Sequence, residues 1–457
     1  LKDPSSLAIF GVKGATGVIA ITTKKAKAGT TVINFNTTYG YKQLVDKIKV
    51  TNADDFNTLF AEENANNGVT TPDYSKLTAN TDWIDAVTQK GIYNSNNLSV
   101  SGSTEKNRFN LGVGYLVDEG IVKHEQLQKW LLSLSDEFKI NKAIKVGVIL
   151  NASRQNNPYN ATWVLDAARK VMPQVSAGTK QFTVQNPYGG ADITQDIYSG
   201  LDNALQNSGV INPLVQLENE WNKTINIEYR TVGTIYGEVN FLKHFTLRST
   251  LYADMSTVDD RSYKPLYYAY DPLTDQPYLF SQTTSVNQNN VNYKKFQQDH
   301  ILTYKQSFGD HNLTAMAGFT TYYFGAFGRG GVAKQYSTGT ALPIPDDKRF
   351  WYMTSGFEDP ANTFATSYQN EYTIVSGLGR LLYNYRNKYY LNATLRNDAS
   401  SQIPTQNRNQ QFWAIGAGWE LTKEKFMESV KWIDFLKLKG SIGVLGNQSA
   451  RYLDDTP

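Results

Sequence analysis

Long segments in which apolar and polar residues strictly alternate recur along the chain after residue 28. One runs from Phe109 to Val117, another from Val146 to Ala152, and a third from Tyr389 to Asp398. A period of two residues is typical of a β-strand with one apolar and one polar face. The segments are about 9–15 residues long, whereas a strand in a globular protein has about 5–6 and a tilted strand that crosses a bilayer about 9–11. The length therefore favours a membrane barrel.

Aromatic residues cluster near the ends of these segments. The chain holds 29 Tyr, 21 Phe and 8 Trp, and Trp130, Tyr322–Phe324 and Trp419 are examples of this placement. In a transmembrane barrel, rings concentrate at the two levels of the lipid headgroups. A soluble sandwich or propeller whose rings fill a core remains the alternative on the alternation alone.

The connections between the segments are unequal. Tight turns are expected near Asn141, Lys243, Asp310 and Asn387, whereas long loops are expected at about residues 50–90, 155–216, 257–291 and 328–366. Short turns at one rim and long loops at the other are typical of outer-membrane barrels. Within the loops we expect helices at Asn52–Asn67 and Ala161–Val171.

Composition excludes several classes of function. The net charge of +3 is too balanced for a nucleic-acid binder, the chain has no Cys, and its 4 His show no metal-ligand spacing. The carboxylate pairs Asp259-Asp260, Asp346-Asp347 and Asp454-Asp455 are interpreted as solvated turn residues. We expect no enzyme, no metal and no cofactor. The mean hydropathy of −0.45 does not oppose a barrel, because polar lumen residues offset the apolar ones.

A glycine motif marks the first 28 residues. Gly11, Gly14 and Gly17 precede an apolar run at Val18–Thr23. A phosphate-binding loop would lead into a helix and carry Gly-Lys-Ser/Thr, so nucleotide binding is not expected. We interpret the glycines as residues that serve backbone geometry.

Several ordered motifs together resemble the SusC/RagA-like TonB-dependent outer-membrane transporters of Bacteroidetes. The matching motifs are Leu1-Lys2-Asp3, Ala8-Ile9-Phe10-Gly11, Gly14-Ala15-Thr16-Gly17, Asn157-Pro158-Tyr159-Asn160, Asn212-Pro213-Leu214, Phe245-Thr246-Leu247-Arg248, Leu395-Arg396-Asn397-Asp398-Ala399-Ser400-Ser401 and Leu436-Lys437-Leu438-Lys439-Gly440-Ser441. They cover nearly the whole chain, and the resemblance rests on their order.

The resemblance implies an all-β fold, a large antiparallel transmembrane barrel that has 22 strands in the complete family member, with an N-terminal plug domain. Residues 1–28 would be the C-terminal end of the plug, and residues 29–457 about the first half of the barrel. About thirteen strands can be counted and the first residue is Leu1, so we expect an internal part of a longer protein.

The implied function is TonB-dependent import of an oligosaccharide or oligopeptide across the bacterial outer membrane. The implied partners are a SusD-like surface lipoprotein, the TonB-ExbB-ExbD energy-coupling complex and outer-membrane lipid. A siderophore receptor or another TonB-dependent receptor is the alternative within the class. A structural or adhesive cell-surface β-protein is the alternative outside it.

Aromatic side chains in the long loops are the candidate substrate contacts, because rings stack on sugar faces and on peptides. These candidates are Tyr159, Trp163, Tyr188, Tyr267, Tyr268, Tyr270, Trp351 and Tyr352. Arg248 and Arg396 lie on the polar faces of strands, and we expect them to pair with carboxylates inside the lumen rather than with substrate.

Overall fold

The computed structural model describes residues 3–13, 17–19, 31–159, 161–201, 205–206, 210–336 and 342–446. In these ranges, thirteen strands form one antiparallel sheet in which nearly every strand pairs with its neighbours along the chain. This sheet is called the wall. Its strands are β1 (Val32–Lys42), β2 (Gly91–Ser103), β3 (Asn107–Glu119), β4 (Gln126–Lys139), β5 (Ile144–Asn156), β8 (Thr224–Phe241), β9 (Phe245–Lys264), β12 (Ser285–Phe308), β13 (His311–Lys334), β14 (Phe364–Tyr385), β15 (Tyr389–Ser400), β16 (Asn409–Glu420) and β17 (Lys437–Val444).

The remaining elements lie outside the wall. They are the helices α1 (Pro4–Leu7), α2 (Ala53–Asn66), α3 (Trp83–Val87), α4 (Thr162–Ala168) and α5 (Pro213–Glu220), and the hairpins β6 (Thr179–Val184) with β7 (Ile193–Tyr198) and β10 (Tyr267–Asp271) with β11 (Gln276–Ser281). No helix in the described ranges is long and apolar enough to cross a membrane.

The wall has a rim of short turns and a rim of long connections, as the sequence predicts. Two short turns place non-glycine residues in the left-handed region, with φ of 48° and 63° at Leu242 and Lys243 and of 55° and 51° at Arg386 and Asn387. Such turns match the right-handed twist of the flanking strands. At the opposite rim, residues 43–90 and 157–223 form the longest connections.

Alternation along each strand gives the wall an apolar outer face that continues from strand to strand. Leu395 lies opposite Trp413, and Ala393 lies opposite Ile415. In the first half of the wall, Leu111 lies opposite Leu134, and Leu134 lies opposite Leu150. Most of these side chains are partly or fully exposed, which suits a surface that lipid covers.

An aromatic belt follows the rim of short turns. The ring centroids of Phe241 and Phe245 are 5.6 Å apart, and those of Tyr389 and Trp419 are 6.4 Å apart. Glu424 accepts hydrogen bonds from the Tyr389 hydroxyl at 2.7 Å and from the Trp419 indole at 2.9 Å. The belt confirms the predicted placement of rings at strand ends.

The long connections fold into a compact unit with its own apolar core. This unit, called the cap, comprises the described residues within 43–90, 120–125, 157–223 and 265–284. Its core contains Trp83, Val164, Met172, Leu205 and Leu217, all of which are buried. The Trp83 indole donates to the Met172 carbonyl at 3.0 Å. The predicted helices are present as α2 and α4, and the Asn52 side chain accepts from the Asp55 amide at the start of α2.

Two of the predicted loops are shorter than expected. β9 continues to Lys264 and β12 begins at Ser285, so the connection comprises residues 265–284 rather than 257–291. Likewise β13 continues to Lys334, and β14 begins at Phe364. Residues 257–264 and 285–291 are rich in Asp and Asn, and residues 328–334 are rich in Gly, which suggests loop. Each strand nevertheless pairs on both sides, and the backbone ladder overrides composition. Asp259 and Asp260 are consequently strand residues.

Candidate functional site

Residues 3–13, called the inner segment, lie against the inner face of β15 to β17. The Arg396 guanidinium donates from Nη1 to the Ile9 carbonyl at 2.8 Å, from Nε to Asp398 at 2.6 Å, and from Nη2 to the Ser376 hydroxyl at 2.9 Å. Ser441 of β17 donates to Asp3 at 2.6 Å. These contacts join residues near the start of the chain to strand residues 387 and 438 positions later.

Gly11 sits at the tightest point of this contact. Its φ is +56°, and a Cβ built there would lie 2.0 Å from Oδ2 of Asp398 and 2.5 Å from Nε of Arg396. Gly17 also has a positive φ, of 101°. Both φ values agree with a role in backbone geometry, which stays a prediction for these glycines. Gly14 and most of the predicted run Val18–Thr23 lie outside the described residues.

A charged network covers the inner face of β4, β5, β8 and β9. The Tyr236 hydroxyl donates to Glu137 at 2.7 Å, and the Lys145 ammonium lies 3.0 Å from Glu238. Arg248 lies 3.6 Å from Glu238 and stacks over the Tyr236 ring at 4.0 Å. Arg248 and Arg396 both pair with wall carboxylates, as the sequence predicts.

A second network lies nearer the cap. Arg230 donates two hydrogen bonds of 2.8 Å to Asp254, and the Lys295 ammonium lies 3.4 Å from the same carboxylate. Asp254 is buried. Two cations and one carboxylate give this part of the inner face a net positive charge. Such a polar face suits a water-filled lumen.

Three of the predicted substrate aromatics are buried inside the cap. Tyr159 packs in the main core, and Tyr270 packs beside Val184. The Tyr267 hydroxyl donates to Glu220 at 2.8 Å, and burial raises the pKa of Tyr267, which keeps it a donor. These rings have packing roles, and their contact with substrate stays a prediction.

Trp351 and Tyr352 contact side chains on the outer face of the wall. Trp351 is 2 % exposed and stacks on Tyr263 at 5.2 Å, whereas Tyr352 is 43 % exposed and lies under the Arg261 guanidinium at 4.5 Å. Side chains along β9 alternate between the two faces of the wall, and Arg248 points into the lumen. Tyr263 and Arg261 lie an odd number of residues from Arg248, so their side chains point to the outer face. The pair therefore does not line the lumen.

The other three predicted aromatics are partly exposed. The Tyr188 hydroxyl lies 3.0 Å from the Tyr263 hydroxyl, and Tyr268 donates to the Gln185 carbonyl at 2.9 Å. Trp163 packs against the main core of the cap. Each keeps part of its ring accessible.

A polar cavity of about 230 Å³ that the sequence analysis missed lies between α5 and the inner face of the wall. Glu220 lies at its α5 side, and Lys264 at its β9 side. Thr224, Ser262 and Asn287 form a row across three paired strands beneath them. The pairing of β8 with β9 and of β9 with β12 brings the strand residues together, and α5 lies over them, so no local motif could have indicated this set.

Known relatives match nearly all of this chain. TonB-dependent receptor P3 of Formosa agariphila is 26% identical over 460 residues, covering 98% of this chain and 42% of the relative. TonB-dependent receptor SusC of Bacteroides thetaiotaomicron is 25% identical over 476 residues, covering 98% and 43%. The chain thus spans less than half the length of the curated relatives it matches. No family model matches the sequence.

Solved structures show the same fold. A chain of the RagAB peptide transporter superposes with a TM-score of 0.75 at 18% identity, over 98% of this chain and 51% of that one. The RagAB peptide importer in its open-open state gives 0.76 at 19% identity, over 98% and 50%. These relatives are receptors and transporters rather than enzymes, as expected from the sequence. Over 98% of its length this chain is therefore similar to outer-membrane TonB-dependent receptors that include SusC, and it has the same fold as the RagAB transporter chains.

Proposed function

We propose that residues 1–28 are the end of a plug, that residues 29–457 are about half of a barrel wall, and that the complete protein imports an oligosaccharide or oligopeptide. Import would be driven by the TonB-ExbB-ExbD complex, and a SusD-like lipoprotein would cover the extracellular mouth. The observation that carries the proposal is the inner segment, which is held on the lumen side of the wall by Arg396.

The physical argument begins with barrel width. A barrel of about 22 strands encloses a lumen open to water, so a plug must close it until energy is supplied. A plug that has to move while remaining attached needs an anchor on the wall. The Arg396 contacts, with Asp398 and Ser376 as supports, provide one at the carboxyl end of the proposed plug.

The cap supports the proposed direction of transport. It forms at the rim of long connections, which faces the outside in outer-membrane barrels. Its compact core leaves a polar cavity facing the lumen rather than a closed lid. Substrate arriving from outside would meet the cap before the inner segment.

Uptake in cells tests this function. We expect a strain carrying the intact transporter to take up labelled oligopeptides or oligosaccharides, and a strain lacking TonB to take up neither. A tagged transporter should co-purify with a lipid-modified partner. Equal uptake with and without TonB would contradict the proposal.

A further inference from the structure

The cavity between α5 and the inner face of the wall is lined by side chains of both charges and by neutral hydrogen-bond donors and acceptors. Glu220 ends α5, and its carboxylate accepts from the Tyr267 hydroxyl and from the Gln216 amide, each at 2.8 Å. These two hydrogen bonds fix its orientation. A carboxylate has about four acceptor positions, so two remain for a ligand.

Lys264 supplies the positive side. It lies opposite Ser285 in the ladder, on the inner face of β9. Within the described residues, the Lys264 ammonium makes no hydrogen bond or ion pair, and Glu220 has no cationic partner within ion-pair distance. Two opposite charges that line one cavity, neither of them in an ion pair within the described residues, can both interact with a ligand of complementary partial or full charges.

We propose that this cavity binds the free amino-terminal residue of an oligopeptide. This inference rests on the proposed import function and narrows its substrate class. The peptide α-ammonium would donate to Glu220, and the first backbone carbonyl oxygen would accept from Lys264. Ser262, Ser285 and Asn287 would serve the next peptide group.

The size and charge of the cavity favour a peptide end over a neutral sugar. Sites for larger small molecules measure about 300–1,000 Å³, so 230 Å³ accommodates a single terminal unit. A neutral sugar ring could use the hydroxyls and amides, but it would leave the Glu220 carboxylate without a cationic partner. A peptide α-ammonium supplies that cation, and the first carbonyl oxygen lies close enough to it to accept from Lys264.

Retention of peptides by the intact purified transporter tests the proposal. A pool of random octapeptides, an N-acetylated version of the same pool, and maltoheptaose are incubated with the protein, and the bound material is quantified by mass spectrometry. A hydrogen bond to a charged group contributes about 1.5–3 kcal/mol, so we expect the free pool to bind about 10- to 100-fold more tightly than the acetylated pool.

Two variants locate the effect. Glu220→Gln keeps the shape of the side chain and should abolish the preference for the free pool. Lys264→Met should weaken both pools and preserve the preference. Glu62→Gln, an exposed carboxylate on α2 away from the cavity, is the matched control and should behave as wild type. Heat-modifiable migration on a gel verifies that each variant is folded.

The outcomes separate this inference from the proposed function. Equal binding of the two pools by the wild type, or binding of maltoheptaose alone, would overturn the peptide-end site while TonB-dependent uptake in cells would still stand. A preference for the free pool that survives Glu220→Gln would place the amino terminus elsewhere and would also overturn it. Absence of any TonB-dependent uptake would refute the import function and this site with it.

Discussion

The wall and the cap place their large apolar side chains in opposite ways. In the wall, Leu395 is 57 % exposed and pairs with Trp413 on the outer face. In the cap, Trp83 is 1 % exposed and Leu217 is fully buried. Lipid solvates the outer face of the wall, so those side chains need no protein partner, whereas water surrounds the cap and drives its apolar residues inward. One chain thus follows two rules of burial.

Stability is distributed differently as a result. The wall is held by inter-strand hydrogen bonds that no single side chain controls. The cap depends on a core assembled from segments far apart in the chain, such as α3 and the region around Met172. Substitutions in the core of the cap should therefore destabilise the cap alone. Substitutions in the wall should lower its stability only where the substituted side chain faces lipid.

The largest effect is expected at the centre of the cap. Trp83→Ala should destabilise the cap by about 3–5 kcal/mol, because it opens a cavity and leaves the Met172 carbonyl without its donor. Limited proteolysis should then cut residues 43–90 and 157–223, while heat-modifiable migration of the barrel persists. Loss of the barrel together with the cap would show that the two regions are not independent.

A charge on the lipid face tests the wall. Leu150→Arg should lower the free energy of unfolding by about 2–4 kcal/mol in phospholipid vesicles, because Leu150 lies between Leu134 and Gly233 on the outer face. Val148→Arg is the matched comparison and should cost less, since Val148 lies opposite Asp136. Urea titration measures both. Equal and small effects would mean that this face is not in lipid.

A substitution at Gly11 tests whether the inner segment packs tightly against the inner face of the wall. Gly11→Ala should cost about 1–3 kcal/mol through the backbone alone, because φ of 56° with ψ of −135° is a conformation that side chains other than glycine rarely adopt. Its Cβ would also press on Asp398 and Arg396. Hydrogen exchange of residues 3–13 should become faster, and exchange in the cap should not change. Unaltered exchange in the inner segment would contradict the tight contact.

The smallest effect concerns pH at the rim of short turns. Hydrogen bonds from Tyr389, Trp419 and Lys388 lower the pKa of Glu424 from its ordinary value of 4.5 to about 2. Because the folded-state pKa is lowered, the stabilisation is present above about pH 4.5 and is lost as the pH falls toward 2. Exchange rates in residues 421–436 should rise over that window, and Glu424→Gln should remove the dependence.

The alternation in the sequence determined the strands, their two faces and the unequal rims, because side-chain period and turn chemistry are local properties of the backbone. It also indicated that Arg248 and Arg396 face the lumen. It did not show where β9 ends or where β12 begins, because segments rich in Asn and Asp pair as strands once neighbouring strands supply partners.

Only the tertiary structure decided which loop aromatics are buried and where a charged cavity forms. Trp351 and Tyr352 are adjacent in sequence, yet one is buried on Tyr263 and the other is exposed. Glu220 on α5 and Lys264 on β9 are 44 positions apart in sequence and line one cavity, and no local motif indicates that they lie together. An aromatic or charged residue has the same identity whether it packs, pairs or binds, so its role depends on contacts that distant segments bring to it.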